Sequence, residues 1–243
     1  MKLKYQLSLF GLLCLILFTG FSGQDATPPV TGSWMHTKGN ETWLMMAADG
    51  YCMITQYDAS GKRFFKTFGG FQEMEDGTLQ LRYRFHSADK NKTGTREAFT
   101  WNAKGGKAES NLSGATGQWT KVGDADGAMT GIWRITKRRE GNALKEMKLA
   151  PRRTLKFLTN DRFQWAAINV ETGEFSGTGG GTYTFKDGVY TETIGFFSRD
   201  SSRVGMSLEL KDHLEGSDWV HTGLSSKGDP IYEIWSKTRP DER

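Results

Sequence analysis

The chain is written twice, and nothing else constrains its fold as much. Gly32-Ser33-Trp34 returns as Gly131-Ile132-Trp133, and Trp119-Thr120-Lys121 returns as Trp235-Ser236-Lys237. Between these bookends, Gly70-Phe71-Gln72-Glu73-Met74-Glu75-Asp76-Gly77 lies without a gap on Gly181-Thr182-Tyr183-Thr184-Phe185-Lys186-Asp187-Gly188. At the same offset of 111 residues, Ser87 and Asp89 fall on Ser198 and Asp200, and Gly94 falls on Gly205. Solenoid units repeat at roughly 20 to 50 residues. A repeat this long is a duplicated domain.

The N-terminus reads as an address. Lys2 and Lys4 precede an apolar run at 7–18, followed by small residues at 19–23. Basic, apolar, small is the order of a secretory signal, with cleavage expected near Ser22 or Gly23. The run is shorter than the roughly 20 residues that span a bilayer. Residues 1–23 are therefore assigned to a signal peptide, and the protein to the periplasm or the exterior. Of the two cysteines, Cys14 lies in the apolar run, which leaves Cys52 alone and excludes an internal disulfide. Stability must come from a core. Cys52, between Tyr51 and Met53, reads as a small buried hydrophobe. The net charge of +4 owes part of its excess to the runs Lys137-Arg138-Arg139 and Arg152-Arg153, which read as solvated faces. Interspersed Asp and Glu argue against a nucleic-acid groove.

Residues 24–30 form a polar lead-in. The first lobe spans 31–122, Gly123-Asp-Ala-Asp-Gly127 is a linker of turn residues, and the second lobe spans 128–238. The dominant period in both lobes is two. Phe163, Trp165 and Ala167 alternate with Gln164, Ala166 and Ile168; Tyr190, Glu192, Ile194 and Phe196 alternate with Val189, Thr191, Thr193 and Gly195. Asp49-Gly50, Asp76-Gly77 and Asp187-Gly188 are hairpin signals between such runs. Glu171-Thr172-Gly173 and Ser225–Asp229 mark further turns. Short strands at spacings of roughly 8 to 12 residues mean an all-β sandwich or barrel. Residues 143–149 are either one short helical turn or a charged loop.

Gly-x-Trp opening a lobe and Trp-x-Lys closing it, twice over, resembles the lipocalin and wider calycin signature. The second lobe is also similar to secreted bacterial lipocalin-like domains of unknown function, on the stretch Gly181–Glu192 (Gly-Thr-Tyr-Thr-Phe-Lys-Asp-Gly-Val-Tyr-Thr-Glu) and the closing Glu233-Ile234-Trp235. The resemblance implies two tandem antiparallel meander barrels. It also implies that the opening Trp packs across one end of its barrel under a basic residue of the last strand, Lys121 in the first lobe and Lys237 in the second. Trp34 and Trp119 are expected to meet at one end of barrel one, and Trp133 and Trp235 at one end of barrel two.

Barrel strands alternate between interior and exterior. The bulkier set on 189–197 is Tyr190, Glu192, Ile194 and Phe196, so Glu192 is expected inside. A buried carboxylate must be paired, hydrogen-bonded or protonated. Three roles stand open for Glu192: a structural bond to a neighbouring Tyr, Arg or Lys, a ligand contact, or catalysis. In the first lobe Leu81 falls at its position. Trp219 and His221 share one face by period two, and Glu233 shares one with Trp235. With Glu192, Tyr190, Gln164 and Tyr183 they are expected to line one polar patch in the second barrel. Trp43, Trp101, Trp165 and Trp219 are either core or free to stack on a ligand. No Cys/His cluster has metal spacing, no cofactor is implied, and Gly-x-Ser-x-Gly is absent, so no catalytic residue is assigned. Gly177-Thr-Gly-Gly-Gly181 leads into a strand rather than a helix and reads as a bulged or closely packed strand.

The sequence thus points to a non-catalytic binding protein for a small apolar or amphipathic molecule or a glycan, with its site in the second barrel. The alternatives are an envelope interaction module with filled barrels, whose partner is another protein, and, third, a lyase or isomerase.

Overall fold

The computed structural model describes residues 28–224 and 228–243, so the segment expected to be a signal peptide and most of the turn expected at 225–229 lie outside the described residues. Among the described residues, seventeen strands carry the fold. The first eight are β1 (Gly32–Lys38), β2 (Glu41–Ala48), β3 (Tyr51–Asp58), β4 (Arg63–Glu75), β5 (Thr78–His86), β6 (Arg96–Lys104), β7 (Lys107–Ser110) and β8 (Gly117–Gly123). They pair in chain order, and β8 returns antiparallel to β1 to close a barrel. The rest are β9 (Gly131–Glu140), β10 (Ala143–Glu146), β11 (Arg152–Leu158), β12 (Arg162–Asn169), β13 (Phe175–Lys186), β14 (Val189–Phe197), β15 (Ser207–Glu215), β16 (Asp218–Leu224) and β17 (Pro230–Lys237). Here β9 pairs with both β11 and β17, so eight strands close a second barrel. β10 hangs on β9 as a ninth strand. Residues 143–146, read from the sequence as a helical turn or loop, are therefore a strand; the β9–β10 hairpin supplies backbone partners that a seven-residue window does not reveal.

The Asp-Gly pairs turn as their chemistry demands. Asp49 and Gly50, Asp76 and Gly77, and Asp187 and Gly188 all have positive φ, the two-residue turn that matches strand twist. The duplication extends to small details. Asp89 and Asp200 each cap a short 3-10 turn, at Lys90–Lys92 and Ser201–Arg203, by accepting a backbone N–H.

Both barrels also carry the same bulge. Gly69 pairs with Phe85 and Gly70 with Tyr83; Gly180 pairs with Phe196 and Gly181 with Ile194. One extra residue, Arg84 or Gly195, is inserted in each partner strand and reverses its alternation. Tyr83 and Ile194 thus stay on the interior side, whereas Phe85 and Phe196 turn outward into a core shared by the two barrels. The expectation that Phe196 joins Tyr190, Glu192 and Ile194 inside is corrected by this bulge. The glycines are required by contact. A Cβ on Gly70 would lie 1.9 Å from the Arg82 carbonyl oxygen, and one on Gly181 would lie 2.0 Å from that of Thr193.

The shared core is apolar, with a polar centre. Leu44, Met46, Met53 and Phe85 of barrel one pack with Phe157, Ala166, Ile168 and Phe196 of barrel two. The Tyr57 and Phe196 rings lie 4.9 Å apart. At the centre, Thr55 donates to Gln164 Oε1 at 2.9 Å, and Gln164 Nε2 donates to Thr67 at 3.0 Å and Thr178 at 3.1 Å. Gln164 is therefore an inter-barrel residue and does not line the second interior. Phe163 and Trp165 face the interior of the second barrel, and alternation therefore turns Gln164 the other way, into the interface. Ser33 and Thr159 share a further hydrogen bond of 2.7 Å between the barrels.

Tryptophans close one end of each barrel, but not pairwise. Trp101 lies 5.4 Å from Trp34 and 5.6 Å from Trp119, and Trp219 lies 5.8 Å from Trp133 and 5.6 Å from Trp235. A third indole thus bridges each bookend pair. The Lys237 ammonium sits 5.3 Å above Trp133, whereas Lys121 turns to Asp124 at 2.5 Å. Cys52 is fully buried, and burial pushes its thiol up to about 12.

Gly181→Ala is expected to lower stability by about 1–3 kcal/mol or more, as overpacking against rigid backbone does. Thermal unfolding followed by circular dichroism checks this. A melting point equal to that of the unaltered protein would mean that the bulge relaxes freely.

Candidate functional site: the charged interior of the second barrel

Interior positions of the two barrels correspond at the 111-residue offset, and the pairing registers show it directly. Trp34 pairs with Met45 where Trp133 pairs with Lys156; Trp101 pairs with Ser110 where Asp212 pairs with His221. Leu81 corresponds to Glu192. Barrel one packs Met45, Leu81 and Trp101 into a closed apolar cluster. Barrel two has Lys156, Glu192, Asp212 and His221 at the corresponding places, all buried.

Each charge is held by neighbours that the strands position. On β11, Leu155 and Phe157 face the other barrel, so alternation turns Lys156 inward. Its ammonium bonds Glu192 Oε1. It also lies 5.0 Å from the Tyr190 and Trp219 rings and 5.4 Å from Phe163. Tyr190 donates its hydroxyl to the same Glu192 oxygen at 2.8 Å. Burial, and then the adjacent Glu192 carboxylate, hold the Tyr190 phenol well above its ordinary range, so it remains a donor.

Asp212 is saturated from the protein side. Its Oδ2 accepts from Trp219 Nε1 and His221 Nδ1, each at 2.8 Å, and its Oδ1 accepts from the Thr222 backbone N–H at 3.2 Å. The His221 ring thus meets Asp212 through Nδ1, which leaves Nε2 outside that bond. Glu233 Oε1 accepts from Arg138 Nε at 2.9 Å and Nη2 at 2.6 Å, and its Oε2 accepts from Trp235 Nε1 at 2.9 Å.

Above these groups lies a cavity of about 440 Å³, within the range of small-molecule sites. Its polar lining is Arg138, Thr154, Glu192, Arg203, His221 and Glu233; the rest is mainly apolar, including Phe163, Trp165, Ile194, Leu208, Ile231 and Trp235. The space has a readable origin. Trp43 and Tyr83 of barrel one become Thr154 and Ile194, while Cys52, Leu79 and Ala108 become Phe163, Tyr190 and Trp219. Bulk has moved toward the tryptophan end, and the other end has opened.

Of the residues singled out by sequence, Glu192, His221 and Glu233 line this cavity. Tyr190 and Trp219 lie beneath it as partners of Glu192 and Asp212. Tyr183 is buried in the same cluster, its hydroxyl donating to the Thr159 carbonyl at 2.6 Å. Gln164 lies in the interface. Among the four unassigned tryptophans, Trp165 lines the cavity, while Trp43, Trp101 and Trp219 are core. The alternation analysis missed Lys156, Asp212 and Arg138. Arg138, read as part of a solvated run, folds its guanidinium onto Glu233. Extending the 111-residue offset in both directions would have exposed Lys156 over Met45 and Asp212 over Trp101.

These features define the class: two tandem lipocalin-like barrels, each an eight-stranded antiparallel meander opened by Gly-x-Trp. Residues 128–242 match the model of a family described as a domain of unknown function (DUF4488). Solved structures similar to part of the chain include a lipocalin-like protein from Bacteroides uniformis, at 14% identity with a TM-score of 0.32 over 46% of this chain and 100% of that one. Another is an uncharacterized protein from Bacteroides eggerthii, at 13% identity with a TM-score of 0.32 over 45% of this chain and 98% of that one. No curated protein matches the chain.

Lys156→Met alone leaves Glu192 buried without its cation. Loss of about 3–5 kcal/mol is expected, as for breaking a buried ion pair from one side. Chemical denaturation measures it, and a loss below about 1 kcal/mol would show that Glu192 is solvated or protonated at no cost.

Proposed function

We propose that the second barrel binds a small amphipathic molecule and that the first is a packed companion bracing its wall. One observation carries this reading: the same fold, in the same chain, closes over an apolar core in barrel one and over ion pairs beneath a cavity in barrel two. The barrel fold itself has no need of those charges. The predominantly apolar wall favours an amphipathic ligand over a glycan. The basic–apolar–small order of residues 2–23 supports action outside the cytoplasm.

A second reading, an interaction module, is favoured by one feature. Leu144 and Leu149, at and just after β10, are 44% and 45% exposed, a place where another protein could pack. The two readings differ in what the cavity does.

Native mass spectrometry of protein purified from its own host is expected to show a retained ligand. Ile194→Trp places an indole in the cavity and should abolish retention while circular dichroism stays that of a folded β protein. Leu81→Met, a volume-conserving change in barrel one, should leave retention intact. Equal retention by both variants would remove the cavity from consideration.

A further inference from the structure

Barrel two carries an insertion that barrel one lacks. Trp133 lies 99 residues after Trp34, whereas Lys156 lies 111 after Met45. Trp34 pairs with Met45, and Trp133 pairs with Lys156. The difference of twelve residues therefore enters between β9 and β11. In barrel one, β1 passes to β2 through Gly39-Asn40 alone. In barrel two, β9 runs on to Glu140, returns as β10 and reaches β11 through 147–151. Barrel closure uses β9, β11 and β17, and β10 pairs with β9 only. Every residue of 139–150 is exposed.

The inserted segment is apolar and basic at once. Among the described residues, six large hydrophobic side chains are exposed, and three of them, Leu144, Met147 and Leu149, fall here. Of the cations on 137–153, Arg138 pairs with Glu233 and Lys145 with Glu140. Arg153 bonds the Ala150 and Glu242 carbonyls. Lys137, Arg139, Lys148 and Arg152 make no ion pair with a described residue, and Arg139 lies over the Tyr232 ring at 4.1 Å. The segment's other carboxylate is Glu146. Residues 147–150 also line a cleft of about 310 Å³ whose charged lining residues are all basic. They are Arg134, Arg138, Lys148, Arg152 and Arg153, of which Arg134 pairs with Glu242. Ile135, Arg138 and Thr154 line both this cleft and the cavity of the second barrel.

We propose that the β9–β10 hairpin and the segment after it seat the second barrel on a bilayer surface that carries anionic phospholipids. Leu144, Met147 and Leu149 enter the boundary between headgroups and acyl chains, and Lys137, Arg139, Lys148 and Arg152 meet the phosphates. Charge complementarity and the size of the patch select this occupant over a protein. Three apolar side chains fall short of the roughly 20–30 residues a side of a stable protein interface, whose composition is also poor in Lys. A bilayer needs only apolar tips among long cationic side chains. The shared lining places this seat beside the cavity, and docking does not depend on a ligand there.

The test is flotation of the protein, purified from its own host, with two kinds of vesicle: phosphatidylcholine alone, and equal parts phosphatidylcholine and phosphatidylglycerol. The variants share one N-terminus, so differences between them report the hairpin. Binding to the anionic vesicles is expected to be at least about tenfold stronger and to weaken as salt rises. Lys148→Glu/Arg152→Glu should erase that preference, and Leu144→Ser/Leu149→Ser should weaken binding to the anionic vesicles about tenfold, with circular dichroism and melting unchanged. Lys90→Glu/Lys104→Glu, the same charge change at exposed positions of barrel one, should leave binding intact. Equal binding to both vesicles, or a preference lost in the barrel-one variant as well, overturns the proposal. Binding to neither vesicle also overturns it. If Leu144→Ser/Leu149→Ser then strips away a protein that otherwise copurifies from the host, the face belongs to a protein partner instead.

Discussion

Close backbone approach at two glycine pairs underlies this molecule. Gly69-Gly70 and Gly180-Gly181 let the neighbouring strand insert one residue, and the insertion reverses the strand's alternation in both barrels. Without it, Phe85 and Phe196 would point into their own barrels, and the shared core would lose its central rings. The same reversal leaves Ile194 as the last β14 side chain of the inward run and places Phe197 on the cavity wall. Barrel closure, the inter-barrel face and the cavity rim therefore rest on one steric requirement that only a residue without a Cβ satisfies.

Duplication supplies an internal control that a single domain lacks. Two copies of one fold solve the same closure problem, and one does so with Met45, Leu81 and Trp101. Buried ion pairs seldom improve on well-packed apolar residues, because desolvation offsets most of the Coulombic gain. Lys156, Glu192, Asp212 and His221 are therefore a load that the fold carries rather than a means of folding. The shared core gives it support: β11 and β12 present alternate side chains to barrel one, so barrel one stiffens the wall behind Lys156, Phe163 and Trp165.

Much of the fold was legible in the sequence. Asp-Gly turns and period-two runs specify hairpins because each local choice has a single geometric solution. The repeat supplied two lobes, and the Gly-x-Trp and Trp-x-Lys pairs marked their ends. The site was legible only where it shared a strand with obvious hydrophobes. Glu192 stands out between Tyr190 and Ile194. Lys156 does not, because Arg152, Arg153 and Lys156 look alike in a basic stretch, and only the register shows which one turns inward. Gln164 was misplaced for a different reason: a buried polar residue in a closed barrel has two dry faces available, and alternation says which set it joins without saying that the outer face is covered by a second barrel. Phe196 was misplaced because a bulge is a relation between two strands, and one strand's pattern does not contain it.

The central claim is that the interior charges of barrel two serve a ligand rather than the fold. The most direct measurement is the stability and ligand retention of the double variant Lys156→Met/Glu192→Leu, which gives barrel two the pair that barrel one already uses at Met45 and Leu81. The account predicts a melting temperature equal to or above that of the unaltered protein, together with loss of the retained ligand. A variant that melts far lower while still holding its ligand would contradict it, and would make the ion pair a structural element.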